Sequence, residues 1–81
     1  MVKAIRIYYT CFDDEKNLSL ARKLKEIVES EIVEHRSSIP GFRYLEFKGV
    51  DLSDERRERI GEALREFLGE NAYFRIDYIN L

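Results

Sequence analysis

Cys11, Asp13, Asp14 and Glu15 bring one thiol and three carboxylates together inside the segment Ile7 to Asn17, IYYTCFDDEKN. Hard divalent cations take clustered carboxylate oxygens at strand ends. Asp13 and Asp14 are the candidate ligands of such a divalent-metal site, with Glu15 and Asp51 as further oxygen donors. The thiol is a competing nucleophile, but no Cys-x-x-Cys accompanies it. The only histidine, His35, lies far along the chain, in or near a turn region. A thiol enzyme needs a base beside its sulfur. Cys11 therefore reads as an incidental loop cysteine and His35 as a surface residue. The aspartates also have a simpler use. A short carboxylate ahead of a helix accepts from the amides of its first turn, and an acidic residue just inside is favoured by the dipole.

The elements around the segment bear on that choice. Residues 2 to 9 alternate as a strand, with Ile5, Ile7 and Tyr9 on one side and Val2, Ala4, Arg6 and Tyr8 on the other. Leu20, Leu24, Ile27 and Val28 recur at helical spacing, so a helix begins near Asp14. Residues 31 to 36, EIVEHR, read either as the tail of that helix or as a short strand. The strand reading is favoured by the turn cluster Ser37-Ser38-Ile39-Pro40-Gly41 that follows, which closes a hairpin with residues 42 to 49. Ser53 caps a second helix whose buried side carries Ile60, Ala63, Leu64, Phe67 and Leu68, and Gly69 stops it. Residues 72 to 80 alternate as a last strand.

The order strand, helix, strand, strand, helix, strand is that of an α+β, ferredoxin-like βαββαβ sandwich, an antiparallel sheet with two helices on one face. If residues 31 to 36 stay helical, the chain is instead a small βαβαβ α/β unit. In the first arrangement the other sheet face is open and carries Val2, Ala4, Arg6, Tyr8, Phe42, Tyr44, Glu46, Lys48, Tyr73, Arg75, Asp77 and Ile79. Two uses compete for it, beside the reading as a plain solvated face. Val2, Phe42, Tyr44 and Tyr73 make an apolar surface of the kind that closes a homodimer. Arg6, Tyr8, Lys48 and Arg75 supply the stacking and phosphate contacts of a nucleic-acid platform, DNA or RNA. Glu46 and Asp77 weaken the second use by pairing across strands with Arg6, Lys48 or Arg75. The arginines of the second helix, Arg56, Arg57, Arg59 and Arg65, alternate with glutamates and read as a solvated face with intrahelical pairs.

Composition sets the outer limits. The 81 residues make a single domain, 1–81, with 44% hydrophobic and 37% charged residues, enough for one core and a charged coat. A net charge of −2 gives no general attraction to nucleic acid or anionic lipid, so any polyanion must be held locally. No run is long and apolar enough for a membrane span, the N-terminus has no signal-peptide pattern, and the lone cysteine suits a reducing compartment, so the chain reads as cytoplasmic. Many Glu, Arg and Lys, with no Gln, fit the composition of proteins from hot environments.

Residues 42 to 81 resemble the second half of the small CRISPR-associated adaptation endonucleases, the ferredoxin-like homodimeric partners of the CRISPR integrase. The likeness is carried by Glu46-Phe47-Lys48-Gly49, by the helix that follows, and by Phe74-Arg75-Ile76-Asp77-Tyr78. The first half, IYYTCFDDEKNLSLARKLKEI, is similar to that family's strand-to-helix entry with its aspartate pair. The resemblance implies a homodimer, a nucleic-acid substrate, an integrase partner and a magnesium or manganese site. The family's metal-binding aspartate falls at Tyr9 or Thr10, neither of which is a carboxylate. The family's further C-terminal strand has no counterpart before Leu81, and only Lys16 stands for its arginine-rich helix start. The expectation is thus a module without robust nuclease activity, in which Asp13 or Asp14 would have to substitute. A protein-interaction or assembly module of the same fold is the alternative. A fainter similarity links Tyr9-Thr10-Cys11-Phe12 and Arg75-Ile76-Asp77 to the trimeric divalent-cation tolerance proteins.

Overall fold

The computed structural model describes residues 4–49 and 53–79. Val2 and Asp51, named above, lie outside the described residues. The elements run β1 (Ala4–Thr10), α1 (Asp14–Val28), β2 (Ile32–His35), β3 (Phe42–Lys48), α2 (Asp54–Leu68) and β4 (Phe74–Ile79). The strands form one antiparallel sheet in the order β2-β3-β1-β4. Each strand–helix–strand unit therefore skips one position, which the other unit's strand fills.

The period-2 alternation decides what the helices cover. Ile5, Ile7, Tyr9, Leu45 and Phe47 are 0–1% exposed and meet Leu20, Leu24, Ile27 and Val28 of α1 and Ile60, Ala63 and Leu64 of α2. Phe74, Ile76 and Tyr78 extend this core along β4. Each fully buried aliphatic side chain contributes about 1.5–3 kcal/mol, so the core is the main source of stability in so short a chain. Cys11 belongs to it, 6% exposed, with its Sγ 3.4 Å from the Asp13 carbonyl. The incidental loop cysteine expected from sequence is thus a small core residue.

Two local signals place residues 31 to 36. The α1 chain turns left-handed at Glu29 (φ 57°), whose N–H still donates to the Lys25 carbonyl, so the helix cannot continue. Ile32 to His35 then pair with β3 in the register Ile32↔Phe47 to His35↔Tyr44. The βαβαβ alternative is excluded by that pairing. At the other end of the hairpin Gly41 has φ +77°, and a Cβ there would sit 2.5 Å from the Phe12 ring, so glycine serves both the turn and the close approach.

The α2 arginines reach beyond their own helix. Arg56 Nη2 lies 2.6 Å from Glu29 Oε2 at the end of α1, and the Arg57 guanidinium sits 4.5 Å over the Tyr78 ring. Arg56 and Arg57 thus also lean on neighbouring elements, contacts that the spacing of charges along the helix does not record.

Candidate functional site

The aspartate pair separates. Asp13 is the N-cap of α1, its Oδ1 accepting from the Lys16 amide at 3.1 Å. Asp14 faces Arg43, whose Nη2 donates to its Oδ1 at 2.7 Å while Nε donates to the Cys11 carbonyl. Among the described residues no group of three or more His, Cys, Asp or Glu side chains converges as a metal site would require. Of the two positions that the resemblance offers for a metal ligand, Thr10 is exposed and Tyr9 points into the core at 1% exposure, donating its hydroxyl to Asn17 Oδ1. Burial pushes its phenol well above the ordinary tyrosine range. Asp13→Ala is expected to cost about 1 kcal/mol, the usual worth of an N-cap, read as a shift in urea midpoint with unchanged slope.

The open face is organised in rows set by the strand register. One row crosses the whole sheet as His35, Tyr44, Tyr8 and Arg75, from β2 through β3 and β1 to β4. The next is Val33, Glu46, Arg6 and Asp77. In the first row the Tyr8 and Tyr44 rings are 4.5 Å apart and the His35 and Tyr44 rings 4.4 Å apart; Phe42, one row up, stacks 6.3 Å from Tyr8. These separations are those of mutually supporting aromatic rings, so the array is held in place on the strands. Tyr73, just before β4, is 77% exposed. Tyr8, Phe42, Tyr73, Arg75 and Asp77 line a cleft of about 380 Å³ on the β1–β4 side.

The charges of this face are largely neutralised in place. Glu46, 7% exposed at its side chain, holds Arg6 Nε at 3.1 Å through Oε2 and His35 Nε2 at 3.0 Å through Oε1. Arg75 Nε lies 3.0 Å from Asp77 Oδ1. The Arg6–Glu46 pair crosses strands as the sequence suggests. Arg75 and Asp77 instead pair along their own strand, because Arg6, opposite Asp77, is already taken by Glu46. Burial and the Tyr8 hydroxyl push the Tyr44 phenol up, and the Glu46 carboxylate keeps the Arg6 guanidinium firmly charged.

The His35 hydrogen bond, with Arg6 behind it, holds the Glu46 carboxyl below the usual carboxylate value of 4.5. A depressed folded value means that the stabilisation is complete above the unfolded value and is lost as pH falls through the folded one. The melting temperature of the natural chain is therefore expected to exceed that of Glu46→Gln by the most above pH ~5, the gap closing on further acidification. A gap that widens toward low pH would show the opposite linkage.

Sequence reasoning assigned Arg6, Tyr8, Phe42, Tyr44, Lys48, Tyr73 and Arg75 to this face, and the structure brings them there, Lys48 exposed at its far end opposite Ala4. It missed His35 and Val33. His35 is half-buried in the array rather than a plain surface residue, and Val33 beside it is 42% exposed. The alternation of IVEH against the β3 pattern was the only available signal, and it needs the register to be read.

No protein-family model matches the chain, and no curated protein matches it in sequence. Solved structures do match. The de novo designed protein Foldit4 aligns over 100% of this chain and 99% of its own, at 19% identity and a TM-score of 0.61. The de novo designed protein Ferredog-Diesel aligns over 95% and 86%, at 18% identity and a TM-score of 0.55. The fold is ferredoxin-like. Identities this low carry the ferredoxin-like fold and no activity.

Proposed function

We propose that this chain is a non-enzymatic module that binds single-stranded nucleic acid on its open sheet face, with bases stacked on Tyr8, Tyr44 and Phe42. The carrying observation is the ring array on the two central strands, Tyr8 of β1 beside Tyr44 and Phe42 of β3, on the uncovered side of the sheet. Four-stranded sheets that read RNA present their stacking aromatics on this side, and their signature run is basic, Gly, aromatic, small, aromatic, aliphatic, any, aromatic. Pro40-Gly41-Phe42-Arg43-Tyr44-Leu45-Glu46-Phe47 keeps the glycine, the aromatics and the aliphatic in order, and departs at Pro40 and Arg43. The alternation agrees as well: Phe42 and Tyr44 face out while Leu45 and Phe47 are buried.

The charge pattern shapes the mode of binding. Arg6 and Arg75 each already hold a carboxylate. Stacking, worth about 1–3 kcal/mol per base, then outweighs phosphate attraction. With at most Arg6, Lys48 and Arg75 engaging phosphates, the slope of log affinity against log salt is roughly −2 or shallower. The narrower reading, a CRISPR-adaptation partner of the integrase, draws on the resemblance of residues 42 to 81 and stands or falls with co-purification of that integrase. A reducing cytoplasm suits the buried Cys11 thiol.

The test is fluorescence anisotropy with labelled single strands of about eight nucleotides, RNA and DNA, and with the matching duplex. Expected are micromolar binding of the single strands, tyrosine quenching on binding, and little affinity for the duplex, whose bases are already stacked. Equal affinity for duplex and single strand would overturn stacking as the mechanism. Absence of binding at low salt, with a light-scattering mass of two chains, would make this face the homodimer contact instead.

A further inference from the structure

The cleft on the β1–β4 side offers a planar ligand two unlike walls. Tyr8, Phe42 and Tyr73 supply rings, and Arg75 with Asp77 supplies a polar edge. That edge does little for the fold: the side chains are 64% and 33% exposed, and an ion pair so placed adds little stability. Nor does it make a strong phosphate seat, because a carboxylate already sits on the guanidinium at 3.0 Å and weakens its pull on a second anion. A nucleobase suits it better. The pair presents N–H donors beside a carboxylate that only accepts. Guanine offers the complementary edge, one acceptor (O6) next to two donors (N1–H and N2–H), whereas adenine, cytosine and uracil each place a single donor group on that edge.

Resting on the single-strand reading of the same face, we infer that this cleft selects guanine. The carboxylate of Asp77 accepts from N1–H and N2–H, Arg75 donates to O6 and orients Asp77, and the rings hold the base plane. Because β4 is an edge strand, a nucleotide can enter beside it without displacing another strand. Arg6, directly across from Asp77, is kept out of the cleft by Glu46, which leaves the Arg75–Asp77 edge to the ligand.

The experiment uses three oligouridine strands of about eight nucleotides carrying one central guanine, inosine or adenine, measured by anisotropy on the whole chain. Inosine keeps O6 and N1–H but lacks the N2 amine. Guanine is expected to bind roughly tenfold tighter than adenine, with inosine between. In Asp77→Asn the guanine-to-adenine ratio is expected to fall to about twofold or less while the adenine strand binds at least as well, since a negative charge has been removed. Equal affinities for the three strands on the unaltered chain would overturn the guanine assignment and leave the stacking face standing. A ratio unchanged in Asp77→Asn would likewise overturn it. No binding by any strand at low salt overturns both.

Discussion

Replacing Tyr8 and Tyr44 together by alanine is expected to remove most of the affinity for single strands, by about 2–6 kcal/mol at 1–3 kcal/mol per stacked base, or from about thirtyfold to beyond detection. The fold should survive. Both rings stand half-buried on the open face, outside the cluster formed by Ile5, Ile7, Leu45, Phe47 and the helices. The loss of strand-favouring side chains costs up to about 1 kcal/mol at each position, which circular dichroism would show as a modest fall in melting temperature with an unchanged spectrum. Lys48→Ala provides the contrast. It removes one phosphate contact, so affinity falls only modestly and the salt slope becomes shallower by about 0.7. A double variant that is folded and binds as tightly as the natural chain would refute the stacking face altogether.

The parts of this site that were legible in sequence are those fixed by short-range periodicity. Parity alone put Tyr8 and Tyr44 on one side of the sheet and Tyr9 and Leu45 on the other, since neighbouring residues on a strand face opposite ways. It also put Arg6, Lys48 and Arg75 on the same face as Glu46 and Asp77. What parity could not give is the alignment between strands. His35 meets Tyr44 and Glu46 only because the turn from Arg36 to Gly41 has the length it has, and Gly41 must take a positive φ to close it. The end of α1 was ambiguous for a similar reason. Ile32 continues the helical spacing of Val28, and the left-handed turn that breaks it falls at Glu29, a residue with no intrinsic preference for that conformation. Pairs such as Arg56 with Glu29 depend on how two helices lie across each other, which no local pattern records. The aspartates divided for a local and a distant cause: Asp13 caps as its position in the chain suggests, but the pull of Arg43 on Asp14 comes from the third strand.

The largest effect on stability is expected at Tyr9, and it bears on the nuclease resemblance. Tyr9→Asp would place a carboxylate at one of the two positions, Tyr9 and Thr10, to which the resemblance assigns a metal ligand. In this chain the Tyr9 side chain points into the core, 1% exposed, with its hydroxyl donated to the buried Asn17. Losing the ring costs about 3–5 kcal/mol, and the carboxyl left in an apolar surround adds a desolvation penalty of several more. A domain of this length has only about 4–12 kcal/mol of stability in total. Tyr9→Asp is therefore expected to be largely unfolded at 25 °C, or to melt more than ~20 °C below the natural chain, by thermal circular dichroism. Tyr9→Phe isolates the polar part: the ring stays, the Asn17 oxygen loses its donor, and the cost drops to about 1–3 kcal/mol. Neither variant is expected to cleave DNA or RNA with magnesium or manganese, because the same burial that pushes the Tyr9 phenol up would keep an aspartic acid there protonated and unable to bind a cation. A folded Tyr9→Asp variant with chelator-sensitive cleavage would show that this strand end opens to solvent and that the aspartate pair beside it can be recruited to a metal.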